Sequence, residues 1–287
     1  MIHPKKSKKQ NKIIEKAICI TLGEQSENHV GMAKQGKGLS KHGYSVRDLQ
    51  IIKDKFEKKG GQSEWLCLND SIDECKDTEK AVVLVMRDGI NQWLGDQKAK
   101  DNLMKELETF EWDKQYWDVR RQKWLNKHAR YNVCFGEHDQ EFNKDEKRGS
   151  IISYDRCPTL KKWKEIMENQ CEMGQKLEAE GNLYYNVKKT GIGFHGDGER
   201  KKVIACNVSD ANVVREIHWQ WYEMSKRIGK RIIVPLYHGD CYIMSEKASG
   251  FDWKKRVRTK IVDGQKIKLR HKTVRHAAGV KGSKYLK

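Results

Sequence analysis

The chain has three prolines in 287 residues, no internal repeat, no Cys-x-x-Cys pair and no apolar run long enough for a membrane span. Few prolines beside nine tryptophans argue for folded structure rather than a disordered composition. Without an apolar stretch near roughly 18 residues, no transmembrane helix is expected. The basic start, Met1 to Gln10, is followed by no apolar signal core, so an intracellular location without membrane association is expected. Eight cysteines are scattered through the chain, which excludes a zinc knuckle and a disulfide scaffold and leaves reduced, mostly buried thiols.

What the chain does have is positive charge. Its formal net charge is +18, with 34% charged and 37% hydrophobic residues. Residues 254–287 hold thirteen Lys or Arg against one acid, Asp263, and the first twelve residues hold five Lys and no acid. Such a balance draws polyanions, and nucleic acid is the expected partner. The plainer alternative is a solubilising tail and a solvated, Lys-rich strand edge.

Three regions are expected: a disordered basic tail over 1–12, an α/β region over 13–149, and a β-rich domain over 150–287. In the first part, Ile13 to Ile20 reads as a strand. Ser45 caps a helix running to about Lys59, and the wholly apolar Ala81 to Met86 reads as a buried strand. Apolar positions from Leu103 to Leu125 predict a helix over 98–128, and Pro158 opens another whose face carries Leu160, Trp163, Ile166 and Met167. From residue 182 short strands follow quickly, with Asp263-Gly264 as a hairpin turn between two of them. Many short strands with turn signals predict a sandwich, jelly roll or barrel.

One tripeptide stands out, His195-Gly196-Asp197. On a strand, residues i and i+2 point to one side, so an imidazole nitrogen and a carboxylate oxygen can converge. With a second histidine this makes the two-His, one-carboxylate set used for non-haem Fe(II). Alone, His-x-Asp is a common chance motif.

Three blocks in order surround it. Asn182-Leu183-Tyr184 leads to Phe194-His195-Gly196-Asp197-Gly198-Glu199. Then Leu236-Tyr237-His238-Gly239-Asp240 runs through Met244 and continues as Asp252-Trp253-Lys254-Lys255-Arg256. Thr273-Val274-Arg275 closes the series. Over about residues 180–287 the chain thereby resembles the AlkB-like branch of the Fe(II)/2-oxoglutarate dioxygenases. The resemblance implies an α+β protein with a C-terminal double-stranded β-helix (jelly roll, cupin-like) behind an N-terminal α/β region. It implies Fe(II) as metal and 2-oxoglutarate as co-substrate, with Asn182 and Tyr184 lining their pocket, and hydroxylation or demethylation of nucleic-acid bases. A protein side-chain hydroxylase and a metal-free basic nucleic-acid-binding module are the alternatives. The family register puts the third metal ligand at Lys255, which as an ammonium cannot bind iron. Either the metal is lost or the ligand has moved, to His276 as first choice or His271 as second. By the same resemblance, Lys284 or Arg275 would hold the far carboxylate of 2-oxoglutarate. Adjacent strand residues 275 and 276 face opposite sides, so the two registers exclude each other.

Overall fold

The computed structural model describes residues 14–29, 31–73, 78–170, 176–262 and 265–287. The tail expected over 1–12 and the Asp263-Gly264 turn lie outside them. Strands outweigh helices in a mixed α/β arrangement. The strands of its two main sheets are β1 (Ala17–Gly23), β2 (Ser63–Cys67), β3 (Val82–Met86), β4 (Tyr131–Gly136), β5 (Ile151–Ser153), β6 (Glu178–Tyr184), β7 (Ile192–His195), β8 (Val203–Ser209), β9 (Arg215–Glu223), β10 (Lys226–Leu236), β11 (Cys241–Met244) and β12 (Lys272–Gly279). The large sheet has the order β2-β3-β11-β8-β1-β6-β4-β5, and the small sheet β7-β12-β9-β10. Every neighbouring pair is antiparallel except β4 with β5.

Strict alternation sorts the large sheet's side chains into two layers. From β1, Ile18, Ile20 and Leu22 face outward. There they meet four helices, α1 (Val46–Lys58), α2 (Gly89–Leu94), α3 (Ala99–Glu108) and α4 (Pro158–Gln170), through Leu49, Phe56, Trp93, Leu103 and Trp163. Ser45 caps α1 as expected, in a reciprocal capping box with Asp48. The other face carries Ala17, Cys19, Val203, Ala205, Tyr242 and Met244, which pack on Ile217, Trp219, Trp221 and Val274 of the small sheet. Trp219 donates its indole N–H to the Met244 sulfur, 3.4 Å away, across this inner layer. The buried polar side chains of interest also lie in the inner layer.

Two expectations are corrected. Residues 13–149 do not form a region apart from 150–287: β1 runs between β6 and β8, and β3 pairs with β11, so strands from both sides of that boundary share one sheet. Nor is 98–128 one helix. The helix α3 ends at Glu108, and Gln115–Asp118 pairs with Lys123–Asn126 as a hairpin. The aromatic residues that suggested a helical face instead form a cross-strand pair, Trp117 with Trp124 at 5.8 Å between ring centroids.

Candidate metal centre

The small sheet sets the centre. Antiparallel pairing places His195 of β7 directly opposite His276 of β12, with a register shift between Ile192 and His195. The two rings lie 4.4 Å apart. Asp197 follows just past the end of β7, its backbone N–H donating to the Ser249 carbonyl at 3.0 Å. Its Oδ1 stands 3.8 Å from His195 Nε2 and its Oδ2 3.8 Å from His276 Nε2. One ligand atom from each of the three residues lies within 4.8 Å of the others. Among the described residues this is the single such His/Cys/Asp/Glu group.

The donor set fits a divalent metal. His195 Nδ1 is 2.8 Å from the Gly193 carbonyl oxygen. A carbonyl only accepts, so Nδ1 carries a proton, which leaves Nε2, facing Asp197, as the candidate ligand atom. Burial pushes the Asp197 carboxyl above its usual range, against the opposing charge of Arg200. Burial, then the neighbouring His195 and Arg200, hold the His276 imidazole well below its usual value, so it is neutral. His276 Nδ1 is buried with no partner among the described residues. Two imidazoles and one buried carboxylate converging on one point make a donor set that a divalent cation suits.

Tight packing positions the loop between the ligands. At Gly196, a Cβ would lie 2.1 Å from the Gly250 carbonyl oxygen and 2.6 Å from the Trp253 ring. Behind the centre runs a buried polar chain. Arg200 Nη2 donates to Glu180 Oε2 at 2.6 Å and to Glu199 Oε1 at 3.2 Å. Glu180 Oε1 accepts from Asn182 Nδ2 at 3.0 Å, and Arg130 Nε donates to Asn182 Oδ1. Burial pushes the Glu180 carboxyl upward, but Arg200 and Arg130 more than offset this and leave it below its usual value.

The three ligand residues border a cavity of about 100 Å³ that Asn182, Tyr184, Thr21, Cys19, Tyr242 and Arg215 also line. Arg215, at the start of β9, is 2% exposed. Its Nη1 donates to Asn207 Oδ1 at 3.0 Å, and its guanidinium carbon lies 3.9 Å from the centroid of the Tyr184 ring. No carboxylate of a described residue pairs with it. A buried guanidinium with neutral partners has spare capacity for an acidic ligand.

The structure thus gathers His195, Asp197, His276, Asn182 and Tyr184, and leaves the other candidates outside. Arg275 faces away from the cavity, over the rings of Tyr222 and Trp253. Lys284 is exposed beside the Tyr285 ring. Neither lines the cavity, because one points through the wrong side of β12 and the other lies past its end. His271 Nε2 contacts Asp252 Oδ2 at 2.6 Å instead of the centre, and Lys255 is exposed. The sequence reading missed Arg215. Its signal was phase: it stands at the odd positions of β9 with Ile217, Trp219 and Trp221, all inward.

Fold and centre together define a sheet-rich α/β protein, with helices against one face of its large sheet and a His–Asp–His group between its two main sheets. No protein-family model matches the chain. It is 39% identical over 245 residues to the uncharacterized protein R156 of Acanthamoeba polyphaga mimivirus, a span covering 85% of this chain and 92% of that protein. The chain belongs to one family with that viral protein.

Proposed function

We propose that the chain is an Fe(II)- and 2-oxoglutarate-dependent oxygenase that hydroxylates or demethylates nucleic-acid bases on a jelly-roll core. The observation that carries this reading is the shared cavity: a two-His, one-Asp set on one side and a buried Arg215 without a carboxylate partner on the other. The strand count is consistent with the fold. A jelly roll is eight strands in two sheets. The small sheet supplies four, and β6, β1, β8 and β11, adjacent in the large sheet, supply the rest. Residues 150–287 contribute seven of these eight, and β1 is the eighth.

His195, Asp197 and His276 would hold the iron, and Arg215 would take the far carboxylate of 2-oxoglutarate in place of Arg275 or Lys284. Bound there, metal and co-substrate would supply the two-electron activation of O2, with succinate and CO2 as co-substrate products. The chain's own residues do the positioning. The Gly193 carbonyl fixes the tautomer of His195. Arg200 favours the ionised form of Asp197. Tyr184 packs against the Arg215 guanidinium and holds its plane, while Trp219, Trp221 and Met244 keep the inner layer dry.

The test is anaerobic reconstitution with Fe(II) and 2-oxoglutarate, then O2, with succinate as readout. Wild type is expected to release succinate, His195→Ala and His276→Ala to release none, and His271→Ala to match wild type. A wild type that binds no iron and releases no succinate ends this reading.

A further inference from the structure

The strand β12 is preceded by a two-stranded ribbon, Val257–Val262 paired with Gln265–Arg270. It joins neither main sheet. Residues 254–272 hold nine Lys or Arg against one acid, Asp263. Pairing register fixes the faces. Lys266, Lys268 and Arg270 lie opposite Ile261, Thr259 and Val257 on one face, and Arg258 and Lys260 lie opposite Leu269 and Ile267 on the other. Alternate residues along a strand stand about 6.6 Å apart, close to the separation of successive phosphates on a nucleic-acid strand. Between the cations, Ile261 is 67% and Ile267 41% exposed. Arg270 pairs with Glu223 at 3.6 Å.

The root of the ribbon is tied to the metal centre. The His271 N–H donates to the Arg256 carbonyl at 2.9 Å, and Asp252 Oδ2 binds both His271 Nε2 and Lys247 Nζ. The next residue, Trp253, packs on Gly196, between the ligands His195 and Asp197.

We infer that this ribbon docks in the major groove of duplex DNA and presents the duplex to the metal centre. Cations on both faces suit a groove flanked by two phosphate backbones. The major groove of B-form DNA, about 12 Å wide, admits a two-stranded ribbon, and its thymine methyls suit exposed isoleucines. The deep, narrow major groove of an RNA duplex admits no such element. Lysines on an edge also discourage strand-to-strand pairing, but that role calls for neither cations on both faces nor exposed isoleucines. The inference deepens the oxygenase reading and rests on it for the purpose of the contact, because a base must then leave the stack to reach the cavity.

The experiment is fluorescence anisotropy on the full chain with a labelled DNA duplex of about two turns, its separate strands, and an RNA duplex of the same sequence. Wild type should favour the DNA duplex by at least ~10-fold. Reversing Arg258, Lys260, Lys266, Lys268 and Arg270 to Glu should weaken duplex binding by ~100-fold or more at low salt and reduce the log–log salt slope by about 4. The same five positions changed to Gln guard against misfolding and should give the same direction of change. Unchanged duplex affinity in both variants, or equal wild-type affinity for single strands or the RNA duplex, overturns the inference. Succinate release without DNA should be equal in wild type and the ribbon variants. Its absence in all of them removes the oxygenase reading and leaves the docking result to stand on its own.

Discussion

Arg215 holds a full positive charge where ordinary protein chemistry would not place one unpaired. It is buried against Tyr184 and Asn207 and borders the cavity that His195, Asp197 and His276 share. If it seats a carboxylate, Arg215→Gln should raise the KM for 2-oxoglutarate by roughly 10- to 150-fold, the worth of a charged hydrogen-bond pair. Metal binding should stay intact, measured by titration of the variant with Fe(II) or Mn(II). A KM within twofold of wild type would dismiss that role. His195 and Asp197 were legible as candidates because two residues apart they can reach one point, although Asp197 lies just past the end of β7 rather than on it. His276 was legible as a candidate once Lys255 was recognised as unable to bind a metal. The carboxylate partner was not legible. Arg275 and Lys284 neighbour His276 along the chain, whereas Arg215 reaches the cavity from β9, the strand paired beside β12. Short motifs report neighbours in sequence, and this contact runs across strands.

At the scale of elements, β1 matters most. It pairs along its seven residues with β6 and along six of them with β8, and its inward Cys19 and Thr21 border the cavity. Removing it would expose two central sheet edges and empty the middle of both hydrophobic layers. A fragment of residues 150–287 should therefore fail to fold, giving little chemical-shift dispersion in an NMR spectrum and no cooperative thermal transition. A cooperative fragment that binds metal would contradict the one-sheet architecture. Many individual strands were readable as short apolar or β-branched runs, such as Ala81 to Met86, because a buried strand must be apolar along its length. Their partners were not readable: nothing local in Ala17 to Gly23 says that its neighbours lie at 178–184 and 203–209. The segment 98–128 misled for a related reason. Its aromatic residues suit either period, and the choice went to the hairpin, where Trp117 and Trp124 meet and the buried Asp113 beside it ties Ser150 and Asn28.

For the whole molecule, charge and acid response follow from burial. Burial lowers the pKa of His218 and, with the charge of Lys127, brings that of His29 down to about 4, and His276 is lowered well below its usual value. A folded-state value below the unfolded one means that acid protonates the unfolded chain first. The resulting stability is present above about pH 6.5 and is lost as pH falls toward 4. The melting temperature should be level near neutrality and drop below pH 6.5, each histidine adding at most about 1.4 kcal/mol per pH unit. His29 has φ of 58°, a left-handed conformation that Asn tolerates, so His29→Asn should flatten the acid limb without a large loss at pH 7. An unchanged slope in that variant would remove His29 from the account. The central place of β1 also sets a timetable. It pairs with residues some 160 positions later, Ala17 with Tyr184 for instance. At about 5–20 residues per second, it waits roughly 8–30 s after synthesis for its first neighbour. His276 emerges later still, so on the oxygenase reading a metal would enter only after translation has passed β12. A chain stalled earlier offers chaperones an apolar strand with nothing yet to pair with.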